Sequence, residues 1–299
     1  KQKGATDAAL AKLRTRISTS GIRGDLDGLA RERLDTFLST ASGLASLRQR
    51  IDNQRITRSD TYAAYNALID PAFKLFDDLD PLSSVRLDSQ RRAVVDVGRA
   101  REAVSRQDAL MSAAISTGHL SETELTDFTF AVGQERNYYA DDLGTLDAGI
   151  RSPFESYWRG AHGKALRSAQ DAIIEGGVDN APIIAAHLSW PSVAGTAFDD
   201  LGELNATAQA KFTKEARPLA TARIVEAAVA GGFGLIAVIA SLVVSVRIGR
   251  GLIRDLAGPR REAQGVSGTG VPCVRRRLAA GDQILAVPTL VRRLPHPMR

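Results

Sequence analysis

Residues 84–116 read SVRLDSQRRAVVDVGRAREAVSRQDALMSAAIS, and their spacing decides the fold class. Val94, Val97, Val104, Met111 and Ile115 fall on one face when the chain is wound at 3.6 residues per turn. Counting about 100° per residue, Arg101 and Asp108 project within roughly 50° of the centre of that apolar stripe. They stand seven residues apart, about two turns, too far to pair as i,i+4 neighbours. A charge on a buried face is costly unless something pairs with it. Each therefore needs a partner on another helix, in water or in a ligand.

Working outward, the same helical spacing recurs from end to end and no run shows sustained alternation. Ala, Leu, Arg, Asp and Glu dominate, while aromatics are only 5%. The chain reads as all-α. Helices are expected over about 6–18, 26–54, 58–79, 84–116, 122–146, 153–175 and from 192 onward. Thr57-x-x-Asp60 and Ser121-x-x-Glu124 fit capping-box-like starts, each preceded by an apolar residue, Ile56 or Leu120. Pro153 suits a first turn, Gly176-Gly177 an end, and Pro191 the opening of the last helix. Pro71 and Pro218 lie inside helical patterns and should kink or break them. A repeat also appears at an offset of 64 residues: Ile56-Thr57-x-x-Asp60 matches Leu120-Ser121-x-x-Glu124, and Asp77-Asp78-Leu79 matches Asp141-Asp142-Leu143. Two matched starts and ends in register point to two related helical bundles in tandem.

The pattern over 122–146 places Leu125, Phe128, Val132, Tyr139, Leu143 and Leu146 on its buried face, flanked by Glu135 and Arg136. Arg101, Arg106, Asp108, Gln134 and Arg136 are thus the candidate ligand-binding residues, converging in a cleft between helices. The rigid donor fork of arginine suits a planar anion there. The bland alternative is a structural ion pair, Arg101–Glu135 or Arg136–Asp108.

Charge is unevenly spread. The chain carries a formal +5, but beyond Val246 eleven basic residues face three acidic ones, giving +8 there and −3 for residues 1–246. Just before that boundary lies Ala227–Val246, AAVAGGFGLIAVIASLVVSV, twenty residues without a charge. Such a helix is long enough for the ~30 Å hydrocarbon core of a bilayer. Arg247, Arg250 and Arg254 follow it, which places the C-terminal side in the cytoplasm and the N-terminal part outside the cell membrane. The basic excess then meets anionic lipid, not nucleic acid. A signal or earlier span is expected ahead of Lys1 to carry residues 1–223 across. The single cysteine, Cys273, leaves the outer part to be stabilised by packing alone.

Catalytic patterns are absent from the sequence. His119, His162, His187 and His296 are scattered, without Cys or carboxylate at metal-ligand spacing. Gly160-Ala161-His162-Gly163-Lys164 lacks the spacing of a phosphate loop. No catalytic residue, metal site or cofactor is expected.

Several stretches carry a family resemblance: Ala5-Thr6-Asp7-Ala8-Ala9, Leu47-Arg48-x-x-Ile51-Asp52, Tyr62 through Asp70 (YAAYNALID), and Ala100 through Leu110 followed by Ser116-Thr117-Gly118-His119-Leu120. Over about residues 5–220 they resemble the nitrate- and nitrite-sensing (NIT) domain of bacterial sensor proteins, in the version of actinobacterial sensor histidine kinases. The resemblance implies a pair of four-helix bundles, a small extracytoplasmic ligand, and a homodimer as the working unit. It also implies that the family's first helix, with its Glu-Arg-Gly element, would lie before Lys1. Where the second element would supply an anion-holding arginine, this chain has Gln107-Asp108-Ala109. Beyond the span, Arg247–Glu262 and Pro272–Gly281 resemble the two helices of a HAMP relay module. The expected organisation is a sensor domain at 1–223, a transmembrane helix at 224–246, a partial HAMP-like relay at 247–281 and a disordered tail at 282–299. The kinase core of the parent family is not in the chain.

Overall fold

Residues 2–79, 82 and 84–217 are described by a computed structural model, and every regular element among them is helical. In chain order these are α1 (Gln2–Thr19), α2 (Ile22–Asp25), α3 (Gly28–Ser42), α4 (Leu44–Asp52), α5 (Arg58–Asp77), α6 (Val85–Thr117), α7 (Glu122–Asp142), a 3₁₀ turn (Leu143–Thr145), α8 (Ala148–Arg159), α9 (Ala161–His187) and α10 (Trp190–Ala216). The all-α reading holds. Among the described residues no helix is long and apolar enough to cross a membrane. The expected span at 224–246, the relay at 247–281 and the tail at 282–299 lie outside the described residues, as does Pro218.

The helix starts are where side chains can satisfy the orphan N–H groups of a first turn. Thr57 accepts from the Asp60 N–H at the head of α5. Ser121 and Glu124 form a full reciprocal capping box at the head of α7. Asp27 and Ser84 do the same work, by side chain alone, for α3 and α6. Pro191 sits in the first turn of α10, where its missing N–H is harmless.

Several boundaries differ from the expectation. The single helix read over 26–54 is two, because the chain turns at Gly43 between α3 and α4. Pro153 lies inside α8, and the run read as 153–175 is α8 and α9 separated at Gly160. Gly177 does interrupt α9, with φ 65° and ψ −175°, a backbone state that other residues rarely adopt. Helix resumes beyond it as far as His187. α5 runs on through Pro71.

Two hydrophobic cores result. The first gathers Leu10 and Leu13 of α1, Phe37 and Ala41 of α3, Leu44 of α4, and Ile69 and Ala72 of α5. The second, larger core joins α6, α7, α8, α9 and α10 around Val104, Met111, Phe128, Phe154, Leu166, Ile173, Trp190 and Leu201. Phe128 meets Trp190 edge to face at 5.5 Å, a geometry that adds to simple area burial. α6, about 50 Å long at the usual helical rise, runs through the second core and also meets α5. That seam is ionic. Arg106 pairs with Asp70 and Arg99 with Asp77, while Arg91 donates to the Phe76 carbonyl at 2.6 Å. Arg58 of α5 clasps Glu124 of α7.

Candidate functional site

The stripe on α6 is buried as its spacing requires, with Val97, Val104 and Met111 fully enclosed and Val94 nearly so; Ile115 is half-buried. Arg101 and Asp108 are buried with it, at 7% and 4% exposure. Their surroundings differ. Asp108 accepts a hydrogen bond from the Ser112 hydroxyl at 2.8 Å, one turn on. Arg101 has no carboxylate within ion-pair distance among the described residues. Its Nε donates to the Phe198 carbonyl on α10 at 3.1 Å, and its guanidinium lies 3.6 Å from the centre of the Phe198 ring. Gly202, one turn along α10, makes the room. A Cβ there would fall 2.9 Å from Nη2 and 3.2 Å from Cζ. Burial pulls the Arg101 pKa down to about 10, although Glu102, Tyr139 and Asp199 act against the shift. Such a group is charged at neutral pH and has given up most of its hydration.

The other candidates point elsewhere. Arg106 faces α5, held by Asp70 and, at 3.3 Å, by Glu102. Arg136 faces α9, donating to Asp171 at 2.6 Å and to the Gln170 side chain at 3.2 Å. Gln134 is half-buried on α7, and its side chain forms no hydrogen bond among the described residues. The five residues therefore do not form one cluster. Neither Arg101–Glu135 nor Arg136–Asp108 pairs, because α9 supplies the partners for α7.

That α7–α9 contact holds a polar group that sequence reasoning put only at the flank of its stripe, Glu135, and two that it did not count among the candidates, Gln107 and Gln170. Gln107 of α6, Glu135 of α7 and Gln170 of α9 are each fully buried. Gln170 Nε2 donates to Gln107 at 2.8 Å and to Glu135 at 3.0 Å. Glu135 also draws Arg167 to 3.5 Å, and that guanidinium sits 4.3 Å from the Trp158 ring. Burial raises the Glu135 carboxyl above its ordinary range, with Arg167 and Gln170 opposing. The Tyr139 hydroxyl, pushed well up by burial and by Glu135, is buried without a hydrogen-bond partner among the described residues. The Tyr157 hydroxyl and Trp158 Nε1 are in the same condition. The Tyr139 and Trp158 rings meet at 4.8 Å, as do those of Tyr157 and Trp158. A signal existed. Ala100, Val104, Gln107, Met111 and Ala114 step by four and three, as do Phe128, Val132, Glu135 and Tyr139, so both polar residues occupy core positions.

Among the described residues no group of three or more His, Cys, Asp or Glu side chains is placed to hold a metal ion. His162 is exposed and bonds Asp200 at 2.7 Å.

The fold and site together define an all-helical bundle module with a charged arginine seated between its long helices. The family model for nitrate and nitrite sensing matches residues 1–213, and the chain belongs to that family. No curated protein and no solved structure matches it.

Proposed function

We propose that this chain is the sensory portion of a membrane-anchored, sensor histidine kinase-like receptor of a bacterial two-component system. It binds a small extracytoplasmic anion, nitrate, nitrite or a relative. The observation that supports this reading most is Arg101, a buried cation with no carboxylate at ion-pair distance among the described residues, in a member of the nitrate- and nitrite-sensing family. Tyr139, Tyr157 and Trp158 add donors in the same core that lack acceptors among the described residues. An anion against Arg101 would be bonded in a medium where charge-assisted hydrogen bonds are strong.

Relay follows from where the guanidinium rests. Phe198 and Gly202 place it on α10, the last described helix, which leads in sequence toward the uncharged run at 227–246. An anion that binds one packing of α6 and α10 better than another shifts the population of those packings. In this reading the shift passes through the span to the HAMP-like segment, in a homodimer anchored in the lipid of the cell membrane. A non-sensing membrane-anchored scaffold is the alternative. The partnered states of Arg106, Asp108 and Arg136 favour it; Arg101 does not.

Calorimetric titration of the detergent-solubilised chain with nitrate and nitrite tests the proposal. Binding should be at least tenfold weaker in Arg101→Met, while the variant's melting temperature hardly falls, since the desolvation cost of the buried guanidinium offsets its hydrogen bond and ring contact with Phe198. Absence of both heat and melting shift at millimolar anion would refute the anion reading.

A further inference from the structure

The seam between α5 and α6 repeats one arrangement twice. Asp70 and Asp77 stand seven residues apart on α5, and their partners Arg106 and Arg99 stand seven apart on α6, running the opposite way. Each arginine also holds an acid of its own helix. Arg106 reaches Glu102 at 3.3 Å, and Arg99 reaches Asp96 at 2.6 Å. Burial is graded alike in both sets: the guanidiniums are 17% exposed, the α5 carboxylates 49%, and the α6 carboxylates 3% and 17%. Each guanidinium thus bridges an inner acid on α6 to an outer acid on α5, two carboxylates to one cation.

With every acid ionised, each set carries an excess negative charge inside a partly closed seam. Asp142, at the end of α7, adds to the Arg99 set, close enough for Asp96, Asp141 and Arg99 to act on it. The nearby cations are engaged elsewhere. Arg101, which faces Glu102 from the same helix, rests on Phe198, and Arg91, which acts on Asp96, is held by Asp88 and the Phe76 carbonyl. Lys74 of α5 is exposed and forms no ion pair among the described residues. The other titratable groups are Tyr62 of α5, which faces Glu102 and Asp127 of α7, and Tyr138 of α7, which faces both arginines. Glu102 Oε2 is buried with no hydrogen-bond partner among the described residues. Burial, with Asp70 adding, lifts Glu102 to about 7, and burial, with Asp96 and Asp141 adding, lifts Asp142 to about 6. Asp96 is raised by burial and by Asp77 against the pull of Arg99. An inner acid that binds a proton stops competing for its arginine and stops repelling the acid across the seam.

We propose that the α5–α6 seam is a proton-operated clasp, in which protonation of the inner acids Glu102 and Asp96 gives Arg106 and Arg99 wholly to Asp70 and Asp77 and draws α5 onto α6. Loss of those protons divides each arginine between two anions and sets the outer acids against the inner ones. The folded acids hold their protons to higher pH than unfolded ones, so the clasp is tight in acid and slackens as pH rises toward 7. α5 supplies Ile69 and Ala72 to the first core, and the clasp therefore sets how firmly that core is held to α6.

The test is hydrogen–deuterium exchange of the detergent-solubilised full chain at pH 5 and pH 7.5, corrected for the intrinsic pH dependence of exchange and read as the ratio of α5 to α9 protection. That ratio should fall at least fivefold on going to pH 7.5. Glu102→Gln combined with Asp96→Asn imitates the protonated acids and should keep the acid-side ratio at both pH values. Asp70→Asn, at a half-exposed position, should lower the ratio severalfold at pH 5, and if the double variant does not fold this result decides with the wild-type ratio. An equal fall in both helices is a loss of global stability alone and overturns the clasp. A ratio independent of pH, or a pH step that survives the double variant, overturns it too.

Discussion

α5 and α7 both begin with a hydroxyl N-cap and run for 20 and 21 residues, yet they bury very different faces. α5 fully buries only Ile69 and Ala72. α7 buries Glu124, Phe128, Ala131, Val132, Glu135 and Tyr139. The matched starts at Thr57 and Ser121, and the acidic pairs near the two ends, lie in the sequence repeat; the burial does not. α7 lies between α6 and α9 inside the larger core. α5 divides its contacts between the first core and an ionic seam with α6, where arginines reach Asp70, Asp77 and the Phe73 and Phe76 carbonyls. Helical periodicity thus sets the element, and the neighbours set what that element must hold.

The comparison can be broken most severely at the two apolar faces. Phe128→Ala in α7 should cost about 3–5 kcal/mol, because the cavity sits against Trp190 in a closed core. Ile69→Ala in α5 should cost about 2–3 kcal/mol, near the low end for such deletions. Urea midpoints for the two variants measure this, and equal losses would erase the distinction between the cores.

A second probe lies on the α5-facing side of α6. Burial lifts the Glu102 carboxyl to about 7, with Arg106 opposing, and its Oε2 has no hydrogen-bond partner among the described residues. An unfolded glutamate loses its proton near 4.5. Between these values the folded chain holds the extra proton, so stability falls as pH rises from 4.5 to 7 and levels off above. At 1.36 kcal/mol per pH unit the fall is about 3 kcal/mol. Glu102→Gln should flatten that slope in melting curves taken across the interval; a slope that survives the substitution assigns it to another group.

The smallest effect is expected at the caps. Ser121→Ala removes a reciprocal capping box and should cost about 1–2 kcal/mol, against about 0.5–1 kcal/mol for Thr57→Ala, which loses a one-way cap. Chemical denaturation resolves that difference, and the reverse order would show that the shared start does not mean the same thing in the two helices.

Much of the helical frame could be read from spacing and punctuation. The buried face of α6 followed from the positions of Val94, Val97, Val104 and Met111, and with it the burial of Arg101 and Asp108. What escaped is instructive. Glu135 was placed at the flank of its stripe and is fully buried, because α9 brings Gln170 and Arg167 to cover it. The turn at Gly43 and the separation of α8 from α9 at Gly160 interrupt patterns whose periodicity carries on across them. Arg48 gave no local sign of its burial, because its partner comes from α1, 41 residues earlier.

The sequence by itself determined that this protein is helical, where several of its helices start, and which side of α6 must be shielded from water. Those are properties of neighbours within a few turns. Tertiary structure alone decided what each buried charge meets. Arg101 rests on a carbonyl and a ring 97 residues away, Glu135 is held from 32 and 35 residues away, and Arg106 turns to a different helix altogether. A period of 3.6 residues says that a side chain faces inward; only the packing of one helix on another says what is there to receive it.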